Sequence, residues 1–250
     1  LASQRVRASG SMDAMIFAAG LGTRLRPLTE HTPKALIEVG GVPMLERTAR
    51  RLIEAGADRI IVNLHHHADQ IERFVNERLE VEAEILLSWE GERPLETGGG
   101  MLHASPLFRH DAPFFLHNVD VITDFDLTEM YRAHLENRAL ATLAVNRRAT
   151  SRFLLFDEKG LYGWENQRTG ERAKARPPSG ERLRIGFAGV HVVSPEIFDL
   201  IEERGTFSIV ALYVRLAAGG RRILPFEMTG AGWLEIGTPE RLEKARSMPP

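Results

Sequence analysis

Residues 15–19 (M-I-F-A-A) form an apolar run without polar interruption, the pattern of a strand buried on both faces of a parallel sheet. A helix is predicted over 42–56: Pro43 suits its first turn, Met44, Leu45, Ala49, Leu52, Ile53 and Ala55 recur at helical spacing, and Gly56 closes it. Residues 59–64 (R-I-I-V-N-L) predict a second strand, 68–79 a second amphipathic helix with Ile71, Phe74, Val75 and Leu79 inward, and 84–89 a third strand. Such alternation implies parallel strands joined by right-handed helical crossovers. The predicted class is α/β: a doubly wound, mostly parallel, Rossmann-like sheet that binds ligands beyond the carboxyl ends of its strands.

The second half is richer in strands. Residues 113–118 read as a buried strand and 138–147 as another. Segments 153–156 and 161–164 look like a hairpin turning at Glu158-Lys159-Gly160. From 165 to 184 six cations (Arg168, Arg172, Lys174, Arg176, Arg182 and Arg184) stand among Pro177, Pro178, Ser179 and Gly180, predicting a basic, flexible excursion that is either a solvated loop or a lid over an anionic ligand. Residues 183–194 form a long strand whose Gly186 and Gly189 mark a bulge or a close backbone approach. Helices are expected over 195–203 and 208–218, with Ser208 capping the second, and Thr238-Pro239 starts a last one. Residues 1–11 are polar and patternless, so a loose extension is expected there and a single domain over 12–250.

Composition narrows the classes. With 43% hydrophobic residues in 250 there is ample apolar surface for one large α/β core. The balance of 32 Lys+Arg against 34 Asp+Glu speaks against general affinity for nucleic acid or an anionic membrane. Zero cysteines exclude a disulfide scaffold and thiolate metal sites. Without a long apolar run or the apolar core of a secretion signal, a cytoplasmic enzyme is the expectation, monomeric or homo-oligomeric.

The chemistry concentrates after the first strand. Gly20 and Gly22 make a turn where backbone N–H groups approach a ligand with no Cβ in the way, and Arg24, Arg26 and Lys34 supply the cations a triphosphate needs. Neither a Walker A loop nor a dinucleotide fingerprint fits this spacing. The plain alternative is a glycine-rich turn with solvated arginines. A second unusual loop, 90–100 (E-G-E-R-P-L-E-T-G-G-G), precedes a helix expected from Met101; three successive glycines do not suit a packed core, but they leave a bare backbone edge for a nucleobase. Asp120 follows the strand at 113–118, in the cleft by topology, where it suits a hard cation such as Mg2+ bridging to phosphates. Asp124 and Asp126 more simply cap the next helix. His65, His66 and His67 lack the partners of a metal cluster and read as structural or exposed, with one lining the cleft as the alternative.

The spacing A-A-G-x-G-x-R-x-R-P, then P-K, resembles the signature of the sugar-1-phosphate nucleotidyltransferases. L-E-T-G-G resembles the base-recognition loop of the uridylyltransferases acting on N-acetylmuramate 1-phosphate, F-A-G-V-H the family's sugar-facing strand, and W-L-E-I-G-T its W-x-D-x-G-T metal motif. The resemblance implies a nucleotidyltransferase fold with a small β-rich sugar-binding portion, a nucleoside triphosphate and a sugar 1-phosphate as partners, Mg2+ as cofactor, and a role in nucleotide sugar and cell-wall synthesis. It implies Arg24 and Lys34 as catalytic. Ala18, Ala19, Gly20, Gly22, Thr23, Glu96, Gly98 and Gly99 fall to the nucleotide, Asn118, Glu165, Asn166 and Gly189 to the sugar, and Asp120 and Glu235 to the metal. This chain departs from the pattern twice: Val119 stands where the family has glycine before the metal aspartate, and Glu235 replaces aspartate, setting its carboxylate roughly 1.5 Å further out. Other implied outcomes are a guanylyl- or thymidylyltransferase of the same fold, or a sugar-nucleotide-binding regulatory protein without chemistry.

Overall fold

The computed structural model describes residues 11–247, so the extension expected at 1–11 lies, apart from Ser11, outside the described residues. In chain order the elements are β1 (Asp13–Phe17), β2 (Glu38–Val39), β3 (Val42–Pro43), α1 (Met44–Glu54), β4 (Arg59–Leu64), α2 (Ala68–Glu77), β5 (Glu84–Trp89) and α3 (Glu96–His103). There follow β6 (Phe114–Asn118), β7 (Val121–Thr123), α4 (Leu127–Asn137), β8 (Ala141–Asn146), β9 (Arg152–Asp157), β10 (Gly160–Asn166), β11 (Arg172–Lys174) and β12 (Arg182–Val193). The chain closes with α5 (Ile209–Ala218), β13 (Ile223–Glu227), β14 (Trp233–Glu235) and α6 (Pro239–Arg246).

Strands β5, β4, β1 and β6 lie side by side and parallel, and β12 joins β6 antiparallel. Alternation along each strand divides the core between the two faces of this sheet. Ala14 and Ile16 pack with Leu45, Leu52, Ile71 and Met130 beneath α1, α2 and α4, whereas Met15 and Phe17 pack with Met101, Leu212 and Tyr213 beneath α3 and α5. The doubly wound sheet is therefore present, with helices on both faces.

The long strand β12 belongs to two assemblies. Its second half pairs with β6 and β8, and β13 runs parallel beyond β8; its first half pairs with β9, which continues through β10 to β11 as an antiparallel extension. That extension is the β-rich portion. Its outer strand lies in the basic segment expected to be flexible, and the segment is ordered because the covered side chain of Asp157 accepts from both terminal nitrogens of Arg176 (2.6 and 2.7 Å) and from the Ser179 and Lys159 amides.

Four further differences have local causes. The first strand begins at Asp13 and ends at Phe17, leaving Ala18 and Ala19 as the start of the loop. Val42 and Pro43 form an edge pair with β2, so α1 starts at Met44. Residues 195–200 make a 3-10 stretch in place of a longer helix. Residues 96–103 are already helical, and Gly98, Gly99 and Gly100 are buried within α3, correcting the expectation of an open loop. A Cβ on Gly98 would run into the Phe207 ring and one on Gly99 into the Gly205 carbonyl, so these glycines serve close packing against the 205–207 segment.

Candidate active site

The carboxyl ends of β1 and β6 are adjacent, and the Val119 N–H donates to the Phe17 carbonyl at 3.2 Å, so the glycine loop and the Val119-Asp120 turn leave the sheet side by side. Gly20 has open space where a Cβ would stand, as a close backbone approach requires. Gly22 turns at φ +63°, and a Cβ there would meet the Thr29 side chain at 2.8 Å; the Thr29 hydroxyl donates to the Gly22 carbonyl at 2.8 Å and fixes the turn. Thr23 and Arg24 follow on a short 3-10 turn and are exposed at its tip.

Lys34 and Asp120 form an ion pair whose side chains are only 11% and 15% exposed, enough seclusion to strengthen their attraction for each other and for a phosphate. Opposite Val121 in the β7–β14 pair stands Glu235, and the Ile236 N–H donates to the Asp120 carbonyl at 2.9 Å, so both carboxylate-bearing residues sit at one end of this ribbon. Glu235 accepts from Arg24 on Oε1 at 2.8 Å and from Arg241 on Oε2 at 2.7 Å. Gly237 lets this happen, because a Cβ there would collide with the Glu235 carboxylate and stand 2.8 Å from the Arg24 guanidinium. Arg24, Lys34, Asp120 and Glu235 thus form two cation–carboxylate pairs at the loop mouth.

The donor set suits Mg2+: two hard carboxylates that leave most coordination positions to water and phosphate oxygens. Among the described residues no group of three or more His, Cys, Asp or Glu stands close enough to hold a metal by itself. His65 bonds the Gly91 carbonyl through Nδ1 at 3.0 Å, and His67 adopts φ +53° at the start of α2.

Other predicted residues are distributed differently. Gly189, at φ +82° where β12 shifts its register against β8, faces the Asn118 amide, and a Cβ would approach Asn118 Nδ2 at 2.9 Å; the two predicted sugar residues stand together. Asn166 is buried and its side-chain oxygen accepts the Arg168 N–H at 3.1 Å, a turn-closing role that replaces the predicted hydroxyl contact. Glu165 is engaged by Arg184 at 2.6 Å and Arg172 at 3.8 Å across the strand edge. Gly98 and Gly99 also differ from the bare base edge predicted for them, since both amides donate to the Phe207 carbonyl at 3.0 and 3.2 Å. Glu96 remains exposed at φ +57° where α3 begins. Asp126 caps α4 through the Thr128 and Glu129 amides, while Asp124 accepts from Gly232.

The sequence reading missed a buried chain beneath the site. Ala18 N–H donates to Asn63 Oδ1 (2.7 Å), Asn63 Nδ2 to Glu90 Oε1 (2.5 Å), and Leu95 N–H to Glu90 Oε2 (2.8 Å), tying the glycine loop to the turn before α3. Its signal was legible: Asn63 is the one polar residue in I-I-V-N-L, and a polar group inside a doubly covered strand needs a partner. Arg241 was missed as well, three residues beyond the Thr238 cap and pointing back to Glu235. His117, next to Asn118, is buried and held well below the usual histidine range, at about 4, by desolvation; its Nδ1–H donates to the Asn118 carbonyl.

Residues 13–248 match the family model described as nucleotidyl transferase, and the chain belongs to that family. It is 33% identical over 235 residues to the N-acetylmuramate alpha-1-phosphate uridylyltransferase of Caulobacter vibrioides, covering 91% of this chain and 92% of the relative. It is 31% identical to the mannose-1-phosphate guanyltransferase of Yarrowia lipolytica, covering 92% of this chain and 61% of that protein. The fold superposes on the UTP-bound UGPase of Acinetobacter baumannii with a TM-score of 0.78 at 18% identity, covering 95% of this chain and 92% of that one.

Proposed function

We propose that this protein transfers a nucleoside monophosphate from a nucleoside triphosphate, UTP in preference, to a sugar 1-phosphate, forming a nucleotide sugar and pyrophosphate. The observation that carries the reading is the pairing of Lys34 with Asp120 and of Arg24 with Glu235 at the mouth of the glycine loop. Support for UTP comes from the uridylyltransferase relative, which this chain matches over nearly its full length. N-acetylmuramate 1-phosphate is the first acceptor to test. GTP is the second nucleotide to test, because the guanyltransferase relative aligns over a comparable stretch of this chain.

A phosphate oxygen of the sugar 1-phosphate attacks the α-phosphorus, the bond from that phosphorus to the bridging oxygen breaks, and the electron pair leaves with pyrophosphate. The attacking oxygen is already ionised near neutral pH, so no general base is required. The work is positioning and charge neutralisation. In this assignment Lys34 neutralises the α-phosphate, Arg24 the leaving pyrophosphate, and the amides around Gly20 and Gly22 cradle the nucleotide, while Asn118 and Gly189 border the sugar. Asp120 and Glu235 would hold Mg2+, which when bound neutralises phosphate charge. Formation of the nucleotide sugar from UTP and N-acetylmuramate 1-phosphate tests the proposal, and binding of a nucleotide sugar without any turnover would replace it by the regulatory reading.

A further inference from the structure

A cavity of about 600 Å3 opens at the carboxyl ends of β8 and β13, beside the predicted site. Its wall carries Arg147, Arg148, Arg241 and Lys244. Glu227 pairs with Arg147 at 2.7 Å and Glu235 with Arg241 at 2.7 Å, whereas Arg148 and Lys244 have no carboxylate partner among the described residues. The guanidinium of Arg148 lies 4.2 Å from the centre of the Trp233 ring and donates to the Phe187 carbonyl at 2.8 Å, and Trp233 is itself fixed by donating to the Ala188 carbonyl. Behind this wall, toward Gly186, Arg148 Nε is buried without a hydrogen-bond partner. A rigidly held, half-buried guanidinium without a carboxylate partner is a cost to the fold that an anion in the cavity offsets. Desolvation lowers the Arg148 pKa, nearby Glu235 opposes this, and Arg241 adds to it, so the net direction favours a bound anion.

We propose that this cavity is a second anion-binding site, taking a small molecule that bears a phosphate or carboxylate, and that its occupation draws Arg241 away from Glu235. Arg241 lines the cavity and holds Glu235 Oε2, while Arg24 holds Oε1, so both carboxylate oxygens already serve a cation that competes with a metal. The binding site stands on its own geometry; the coupling rests on the proposed metal role of Glu235.

Sulfate is the probe, and tryptophan fluorescence the readout, because Trp233 lies against Arg148. Sulfate is expected to change the emission saturably in wild type and in Lys34→Ala, to lose the change in Trp233→Phe, and to bind about tenfold more weakly in Arg148→Ala. Lys244→Ala, on the exposed end of α6, cannot compromise folding and is expected to weaken binding about twofold to fivefold. A response that disappears in Lys34→Ala, or that is unaffected by both Arg148→Ala and Lys244→Ala, overturns the site. These titrations need no turnover. In the active protein, sulfate is expected to lower the Mg2+ concentration for half-maximal pyrophosphate release about twofold to fivefold, an effect absent in Arg148→Ala; an unchanged Mg2+ dependence overturns the coupling. The source of the anion follows from comparing N-acetylmuramate 1-phosphate, which carries a carboxylate, with N-acetylglucosamine 1-phosphate, which does not. A raised KM in Arg148→Ala for the first alone assigns the cavity to the acceptor's own acid group, and unchanged KM values for both assign it to a separate molecule.

Discussion

Glu90 and Gly98 illustrate how single residues position the elements around the glycine loop. Each oxygen of the Glu90 carboxylate accepts from a different donor, Asn63 Nδ2 and the Leu95 amide, so a neutral amide at this position turns a donor toward a donor. Glu90→Gln is expected to raise KM for the nucleoside triphosphate about fivefold to tenfold while kcat falls less, because the loops lose their mutual position and not a group on the reacting atoms. Steady-state kinetics check this, and an equal fall in kcat with KM unchanged would place Glu90 in the chemistry. Gly98→Ala pushes a methyl group into the Phe207 ring and to 2.9 Å from the Phe207 carbonyl. The expected loss is about 1–3 kcal/mol, read as a lower urea midpoint. An unchanged midpoint would mean that the 205–207 segment yields freely.

Among the elements, the extension β9–β11 depends most on one side chain. Asp157 gathers Arg176, Ser179 and Lys159, and the Arg176 guanidinium holds its carboxyl far below the usual carboxylate range. A depressed carboxyl stabilises the fold above its unfolded value of about 4 and loses that contribution as pH falls further. Asp157→Ala leaves part-buried Arg176 with only the Gly160 and Pro177 carbonyls, an expected cost of about 1–3 kcal/mol. Limited trypsin digestion at pH 7 is expected to cut the variant within 168–184 while sparing the wild type; equal resistance would show that strand pairing alone orders the segment. These elements also show what the sequence reveals. The strands at 59–64 and 84–89 and the caps Asp126, Ser208 and Thr238 were readable because burial and capping act locally. Segment 165–184 was misread because its order comes from Asp157, which lies outside it. The 96–103 helix was misread because glycine lowers helix propensity, and only contact with Gly205 and Phe207 overrides that penalty. Within the site, the loop cations and Asp120 were visible as motif letters, whereas Asn63–Glu90 and Arg241–Glu235 are pairings across 27 and 6 positions that no local pattern marks.

For the molecule as a whole, three histidines are buried in or against the sheet: His117, His134 and His191. Burial holds them at about 4, 4 and 3, below the 6.5 of an exposed imidazole. The unfolded chain therefore takes up protons near pH 6.5 that the native state refuses until about pH 4, so stability rises with pH across that window. With three such groups the slope reaches about 4 kcal/mol per pH unit at most. The urea midpoint is expected to drop between pH 7 and pH 5; a flat profile would contradict the neutral, buried state of these residues.

The central claim is that a parallel sheet brings a glycine loop with Arg24 and Lys34 beside Asp120 and Glu235 in order to join a nucleoside monophosphate to a sugar phosphate. Its most direct test is pyrophosphate release with Mg2+, across the four nucleoside triphosphates and a panel of sugar 1-phosphates, for wild type and Lys34→Ala. Release is expected to require both substrates, to prefer UTP with an amino-sugar phosphate, and to fall about 10²–10³-fold in kcat in the folded variant. Silence in the wild type across every combination, with a nucleotide sugar still bound, would contradict it.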